Sequence, residues 1–158
     1  MKIVVKFGGS SLASAEQFKK VADIIHADPH RRFVVPSAPG KRFDGDTKVT
    51  DMLYGCYDLA EAGKDFDGAL ADIKARYDEI IEGLGLDLTL DKEFETIHEQ
   101  FRLKAGRNYA ASRGEYLNGI VLANYLGFEF VDAATVIRFD DAGNFEADRD
   151  RKSTRLNS

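Results

Sequence analysis

Residues 2–7, Lys-Ile-Val-Val-Lys-Phe, run straight into Gly8-Gly9-Ser10-Ser11, and a helix-like pattern begins at once. The β-branched and aromatic residues suit a pleated strand. Beyond them Leu12, Ala15, Phe18, Val21, Ala22 and Ile25 recur at the three- and four-residue spacing of one helix face. That pattern stops near Asp28-Pro29, with Ser11 or Ser14 as its N-cap, and Arg32-Phe33-Val34-Val35 reads as a second strand. Residues 1–35 are therefore predicted to be a βαβ unit with parallel strands and a right-handed crossover. The fold class is α/β.

In such a unit both strands end at the same edge of the sheet, which is where open α/β sheets bind ligands. The Gly8-Gly9 turn and the loop after Val35 are thus expected neighbours. Glycines lack a Cβ and reach backbone angles closed to other residues, so the turn can offer its N–H groups to an anion, with the Lys6 charge beside it. The same residues also serve ordinary strand-to-helix turns, so phosphate binding and plain loop chemistry both fit. The second loop, Pro36-Ser37-Ala38-Pro39-Gly40-Lys41-Arg42-Phe43-Asp44-Gly45-Asp46, is long and rich in turn formers. Thr47, Lys48, Val49, Thr50 and Asp51 open the next helix.

Four further helices follow from periodicity. The first has Val49, Met52, Leu53, Cys56, Leu59 and Ala60 on one face and ends at Gly63. The next carries Phe66, Leu70, Ile73, Tyr77, Ile80, Ile81 and Leu84, and Gly85 stops it. Leu86, Leu88 and Leu90 alternate, but their Gly and Asp neighbours mark a connector. Phe94, Ile97, His98, Phe101 and Ala105 line the third. The last begins at Ser112, whose spacing to Glu115 is that of a capping box, continues through Leu117, Ile120, Val121 and Asn124, and is capped by Gly127. Glu115 can therefore serve the helix start or a ligand. Residues 128–131, Phe-Glu-Phe-Val, read as a third strand, and 135–147 as a short helical turn or strand followed by a turn.

The 158 residues, 44% of them hydrophobic, suffice for one compact domain. Residues 149–158 hold four basic groups and one acid, so the rest carries 18 basic and 26 acidic groups, a net −8. An acidic body argues against nucleic acid and anionic membrane as partners. No secretory signal and no apolar run near the length of a membrane span is present, which leads to a cytoplasmic expectation. The single Cys56 is expected to be a small buried residue, and His98 a packed or surface histidine. With His26 and His30 the only others, no metal-ligand motif occurs.

Three stretches in order resemble the aspartate kinases of the amino-acid kinase superfamily. They are Lys6-Phe-Gly-Gly-Ser-Ser; Val34-Val-Pro-Ser-Ala-Pro-Gly with Lys48-Val-Thr-Asp-Met-Leu; and Ser112-Arg-Gly-Glu-Tyr-Leu before Phe130-Val-Asp-Ala. The resemblance implies a three-layer α/β/α sandwich with a mainly parallel sheet, of which residues 1–148 would be roughly the N-terminal half, with 149–158 a disordered or non-native basic tail. It implies a biosynthetic kinase of the lysine and threonine routes, using ATP with Mg2+ to phosphorylate L-aspartate and working as a homo-oligomer. Lys6 would bridge phosphate oxygens as the catalytic cation, and Gly8, Gly9 and Ser10 would cradle the transferring group. Ser37 and Thr50 would hold aspartate, and Glu115 would accept from its α-ammonium. Ser10 stands where threonine is common, Asp51 where asparagine is frequent, and residues 41–47 lengthen the loop. Such a part is expected to be inactive alone. The rival readings are another amino-acid kinase, acting on glutamate, N-acetylglutamate, carbamate or a nucleotide monophosphate, and a non-catalytic interaction module of the same fold.

Overall fold

The computed structural model describes residues 1–136. The expected basic tail over 149–158 and the elements expected over 137–147 lie outside them. The chain divides into two units, Met1–Phe128 and the residues from Glu129 onward.

In the first unit, β1 (Ile3–Phe7) leads through a 3-10 helix (Gly9–Leu12) to α1 (Ala15–His26) and β2 (Arg31–Pro36). The two strands pair in parallel, with Val4 opposite Phe33, Lys6 opposite Val35 and Phe7 opposite Pro36. The expected βαβ order with parallel strands is therefore present. Ser14, not Ser11, caps α1, its hydroxyl accepting from the Gln17 amide at 3.4 Å. Side-chain alternation sends Val5, Phe7 and Val34 to the core, whereas Val4, Phe33 and Val35 stay exposed on the opposite face. The described residues of this unit thus build a parallel sheet and helices packed on one side of it.

Four helices complete the unit: α2 (Val49–Glu61), α3 (Asp67–Gly83), α4 (Asp91–Arg102) and α5 (Arg107–Leu126). Each buries most of the face its periodicity marked, with Ala105 exposed beyond the end of α4. Leu53, Cys56 and Ala60 of α2, Ile73, Tyr77 and Ile80 of α3, and Phe94, Ile97 and Phe101 of α4 share one core with Phe18, Val21 and Ile25 of α1. Residues 86–90 are a connector. His98 stacks on Phe66 and pairs with Asp67 at 2.7 Å, a surface role. Cys56 is buried, and desolvation pushes its thiol up to about 12.

Three expectations fail. The last long helix starts at Arg107 rather than Ser112, because Gly106, at φ 110°, supplies the break and the N-cap position. Ser112 is therefore inside α5, where its hydroxyl donates to the Tyr109 carbonyl at 2.7 Å, and no capping box with Glu115 exists. Asn124 is exposed, and Asn118 is the asparagine on the buried face. Residues 128–131 form no strand. Strand propensity registers fit to a half-buried pleated surface, and it does not supply a ladder. The second unit contributes α6 (Ala133–Val136), begun by Asp132, whose carboxylate accepts from the Ala134 amide at 3.0 Å.

Candidate functional site

The glycine turn meets the second loop through backbone. The Ser37 amide donates to the Phe7 carbonyl at 3.0 Å, prolonging the β1–β2 pairing, and the Gly40 amide donates to the Gly9 carbonyl at 2.8 Å. The contact leaves no room for side chains. A Cβ on Gly9 would sit 2.9 Å from the Ala38 carbonyl oxygen, and one on Gly40 would sit 2.6 Å from the Gly9 carbonyl carbon and 2.8 Å from the Ser10 nitrogen. Gly8, by contrast, has no atom within 4 Å of its would-be Cβ and lies exposed at the end of β1. Its φ of −76° and ψ of 170° are ordinary extended backbone, and neither it nor Gly9 takes a left-handed angle. Gly9 serves close approach, Gly8 does not, and the conformational argument from sequence applies to neither.

Three helices hold the loop from the other side. The Val49 amide at the start of α2 donates to the Pro39 carbonyl at 3.0 Å, so half-buried Thr50 follows directly on a residue bonded to the loop. From α5, the Asn118 side-chain amide donates to the Ser37 carbonyl at 2.7 Å. Gly114 faces Ala38 so closely that a Cβ there would come within 2.6 Å of the alanine methyl. From α3, the Arg76 guanidinium donates to the Gly40 carbonyl at 2.7 Å and to the Thr47 carbonyl at 2.9 Å. The fully buried Tyr77 donates its hydroxyl to the Gly114 carbonyl at 2.8 Å, so α3 and α5 are tied together beside the loop.

Each residue singled out from sequence therefore has a definite place. Lys6 is exposed on β1, Gly8, Gly9 and Ser10 form the turn, and Ser37 opens the apposed loop. Thr50 is in the first turn of α2, and Glu115 is exposed on α5 next to Gly114. Glu115 is near enough for its charge to add to burial in raising the Tyr77 phenol well above its ordinary range. Among the described residues, none of the side chains of Lys6, Ser10, Ser37, Thr50 and Glu115 hydrogen-bonds to another of the set.

The lengthened loop is ordered by charge. Arg42 binds Asp46 through its amide at 2.9 Å and its Nε at 2.8 Å, and reaches Glu79 on α3 at 3.1 Å. Hydrogen bonds from Arg42, helped by the Arg76 charge, hold the Asp46 carboxyl far below the usual carboxylate range. Sequence reasoning missed Arg76, Asn118 and Gly114. The signal for Arg76 was its place between Ile73, Tyr77 and Ile80, where a charged side chain on an apolar face needs an interior partner. A groove of about 490 Å3, lined by Leu70, Lys74, Asp91 and Phe94 among others, lies between α3 and α4 and includes none of the site residues.

A parallel βαβ unit whose glycine turn packs against a Ser-bearing loop at one end of the strands is the frame of an α/β protein with its loops gathered where such sheets bind ligands. The chain matches the amino acid kinase family over residues 1–157 and belongs to that family. It is 38% identical over 152 residues to aspartokinase 3 of Bacillus subtilis, covering 90% of this chain and 32% of that protein. To the chloroplastic aspartokinase 1 of Arabidopsis thaliana it is 32% identical, covering 78% of this chain and 23% of the other. The crystal structure of Clostridium acetobutylicum aspartate kinase superposes with a TM-score of 0.91 at 47% identity, covering 98% of this chain and 36% of that one. Escherichia coli aspartokinase III, solved with aspartate and ADP, shares the fold with a TM-score of 0.77, covering 99% of this chain and 37% of that one. The chain thus spans about a third or less of the length of these relatives.

Proposed function

We propose that the protein carrying this segment is an aspartate kinase, which transfers the γ-phosphoryl group of ATP to the side-chain carboxylate of L-aspartate and forms 4-phospho-L-aspartate. The observation that carries this reading is the backbone junction of Ser37 with Phe7 and of Gly40 with Gly9, which sets the glycine turn beside the Ser37 loop at one end of the sheet.

An aspartate side chain, with an ordinary pKa of about 3.9, is already ionised at neutral pH, so its attack needs no general base. The obstacle is to bring two anions together in line and to stabilise charge on the transferring group. A carboxylate oxygen bonds to the γ-phosphorus, the bond from that phosphorus to the bridging oxygen breaks, and ADP leaves with the electron pair. Lys6 meets phosphate oxygens, and the Gly8, Gly9 and Ser10 amides face the transferring group. Ser37 and Thr50 hydrogen-bond the acceptor. Glu115 receives its α-ammonium, which favours an amino acid over a plain dicarboxylate.

Among the described residues no group of three or more His, Cys, Asp and Glu side chains could hold a metal ion. The residues around the turn suit phosphate oxygens rather than a cation. Mg2+ would arrive with ATP, held in part by water and phosphate oxygens. The intact protein is read as a cytoplasmic homo-oligomer.

The test is hydroxamate trapping of acyl phosphate by the full-length gene product with ATP, Mg2+ and a panel of acceptors. Aspartate should react, and Lys6→Ala should lower kcat/KM by about 10²-fold or more while folding is retained. A product that phosphorylates glutamate alone, or Lys6→Ala with wild-type rates, overturns the reading.

A further inference from the structure

Arg76, at 4% exposure, and Asn118, at 0%, are polar side chains held in the interior. They stand on different helices, 42 positions apart in sequence, yet both donate to carbonyls of residues 37–40. Each also keeps one buried atom without a hydrogen-bond partner, Nε of Arg76 and Oδ1 of Asn118. Burying a guanidinium and an amide that each leave one atom unsatisfied opposes stability, even with the Asp46 carboxylate 3.7 Å from the guanidinium. What these two residues supply is geometry. Arg76 fixes the Gly40 carbonyl, while the Gly40 amide holds Gly9, and a Cβ on Gly40 would sit 2.8 Å from the Ser10 nitrogen. Asn118 fixes the Ser37 carbonyl, while the Ser37 amide holds Phe7.

We propose that Arg76 and Asn118 are positioning residues for phosphoryl transfer, Arg76 acting through Gly40 on the glycine turn and Asn118 acting through Ser37 on the acceptor. This rests on the aspartate-kinase reading. The two clamps grip opposite ends of one short loop, so their losses separate kinetically. The Arg76 fork also spans the Gly40 and Thr47 carbonyls at once and so closes the base of the lengthened loop, which a lysine ammonium reproduces only in part.

The test uses the full-length gene product with Asn118→Leu, Arg76→Met and Arg76→Lys. It combines steady-state kinetics with hydrogen exchange of the Ser37 and Gly40 amides. Asn118→Leu should raise the aspartate KM roughly tenfold, the size of one lost buried hydrogen bond, with kcat within about twofold. Arg76→Met should lower kcat roughly tenfold at nearly constant aspartate KM, with Arg76→Lys between it and wild type. In each variant exchange at the loop amide next to the lost clamp should accelerate, while the amides of α4 stay protected.

Wild-type kinetics with wild-type loop exchange overturn the proposal. So does a fall in kcat that tracks the loss of folded protein with KM unchanged, which marks a merely structural role. Should Arg76→Met fail to fold, Asn118→Leu decides, because leucine keeps the branched heavy-atom outline of asparagine without its polar atoms. A wild-type enzyme inactive on aspartate refutes the function instead, and exchange at Ser37 and Gly40 then decides the clamps by themselves.

Discussion

Gly9 and Gly40 touch through their backbones, and that contact makes residue-scale predictions sharp. A Cβ on Gly40 would meet the Gly9 carbonyl carbon at 2.6 Å, and because the obstacle is backbone no rotamer relieves it. Gly40→Ala should destabilise the fold by about 1–3 kcal/mol, the range for overpacking, and should disturb the turn itself. Gly8→Ala is the control. Its position is open and its backbone is ordinary, so its unfolding midpoint in denaturant should match wild type, while kcat/KM falls if phosphate approaches the main chain there. Wild-type kcat/KM in Gly8→Ala would remove the phosphate role of that amide. A second residue-scale prediction concerns Cys56, whose thiol is buried and pushed up to about 12. At pH 8 a thiol-reactive disulfide reagent should leave it unmodified in native protein and titrate it fully in denaturant. Fast native labelling would mean that the contact with the Phe66 carbonyl opens readily.

At the scale of elements, two helix-interior glycines should respond in opposite directions to the same substitution. Gly55, on the exposed side of α2, has nothing within 4 Å of a would-be Cβ, so Gly55→Ala should stabilise by about 0.5–1 kcal/mol through helix propensity. Gly114, in α5, faces the Ala38 methyl at 2.6 Å and the Leu53 side chain at 3.4 Å. Gly114→Ala should therefore destabilise despite the same propensity gain, and Ala38→Gly should recover part of the loss. Urea unfolding of the two single variants and the double variant gives the coupling, and strict additivity would rule the contact out. This pair also shows why the sequence was only partly legible. The periodicity of Phe94, Ile97 and Phe101, or of Ile73, Tyr77 and Ile80, states burial directly because each side chain answers to its own helix face. The sequence Ser112-Arg113-Gly114-Glu115 was legible as a motif but was misread as a helix start, because Ser-x-x-Glu spacing has the same form inside a helix as at its end. Gly106 held the true signal. Gly114 earns its place through Ala38, 76 positions away, and no local pattern encodes such a contact. Arg76 and Asn118 escaped notice for the same reason: their partners are loop carbonyls, which are alike in every sequence.

Across the whole first unit, the fold class and the meeting of two loops at one sheet end were readable because both follow from parallel topology. The order of the loop at residues 41–47 was not, since Lys41, Arg42, Asp44 and Asp46 suit a solvated loop equally well until Glu79 and Arg76 of α3 are brought to them. That assembly has a pH signature. Arg42, through its side chain and its amide, lowers the Asp46 carboxyl far below its usual range, and Lys74 lowers Asp91. A carboxyl whose folded pKa is depressed contributes stability that is present above its unfolded value, near 3.8 for Asp, and is lost as pH falls through the lower folded value. As far as these two groups govern it, stability should be flat from about pH 5.5 to 8 and should fall below about pH 4. Asp91 is well exposed, so solvent screens its share, whereas the Asp46 side chain is 9% exposed and tied to two guanidinium groups. Asp46→Asn should therefore lower the thermal midpoint at pH 7 and flatten the acid limb. Measuring the midpoint from pH 3 to pH 8 in both proteins decides it. Parallel curves would show that the ion pairs around residues 41–47 leave stability untouched and that other contacts hold the loop, whereas curves converging at the acid end assign that order to Asp46.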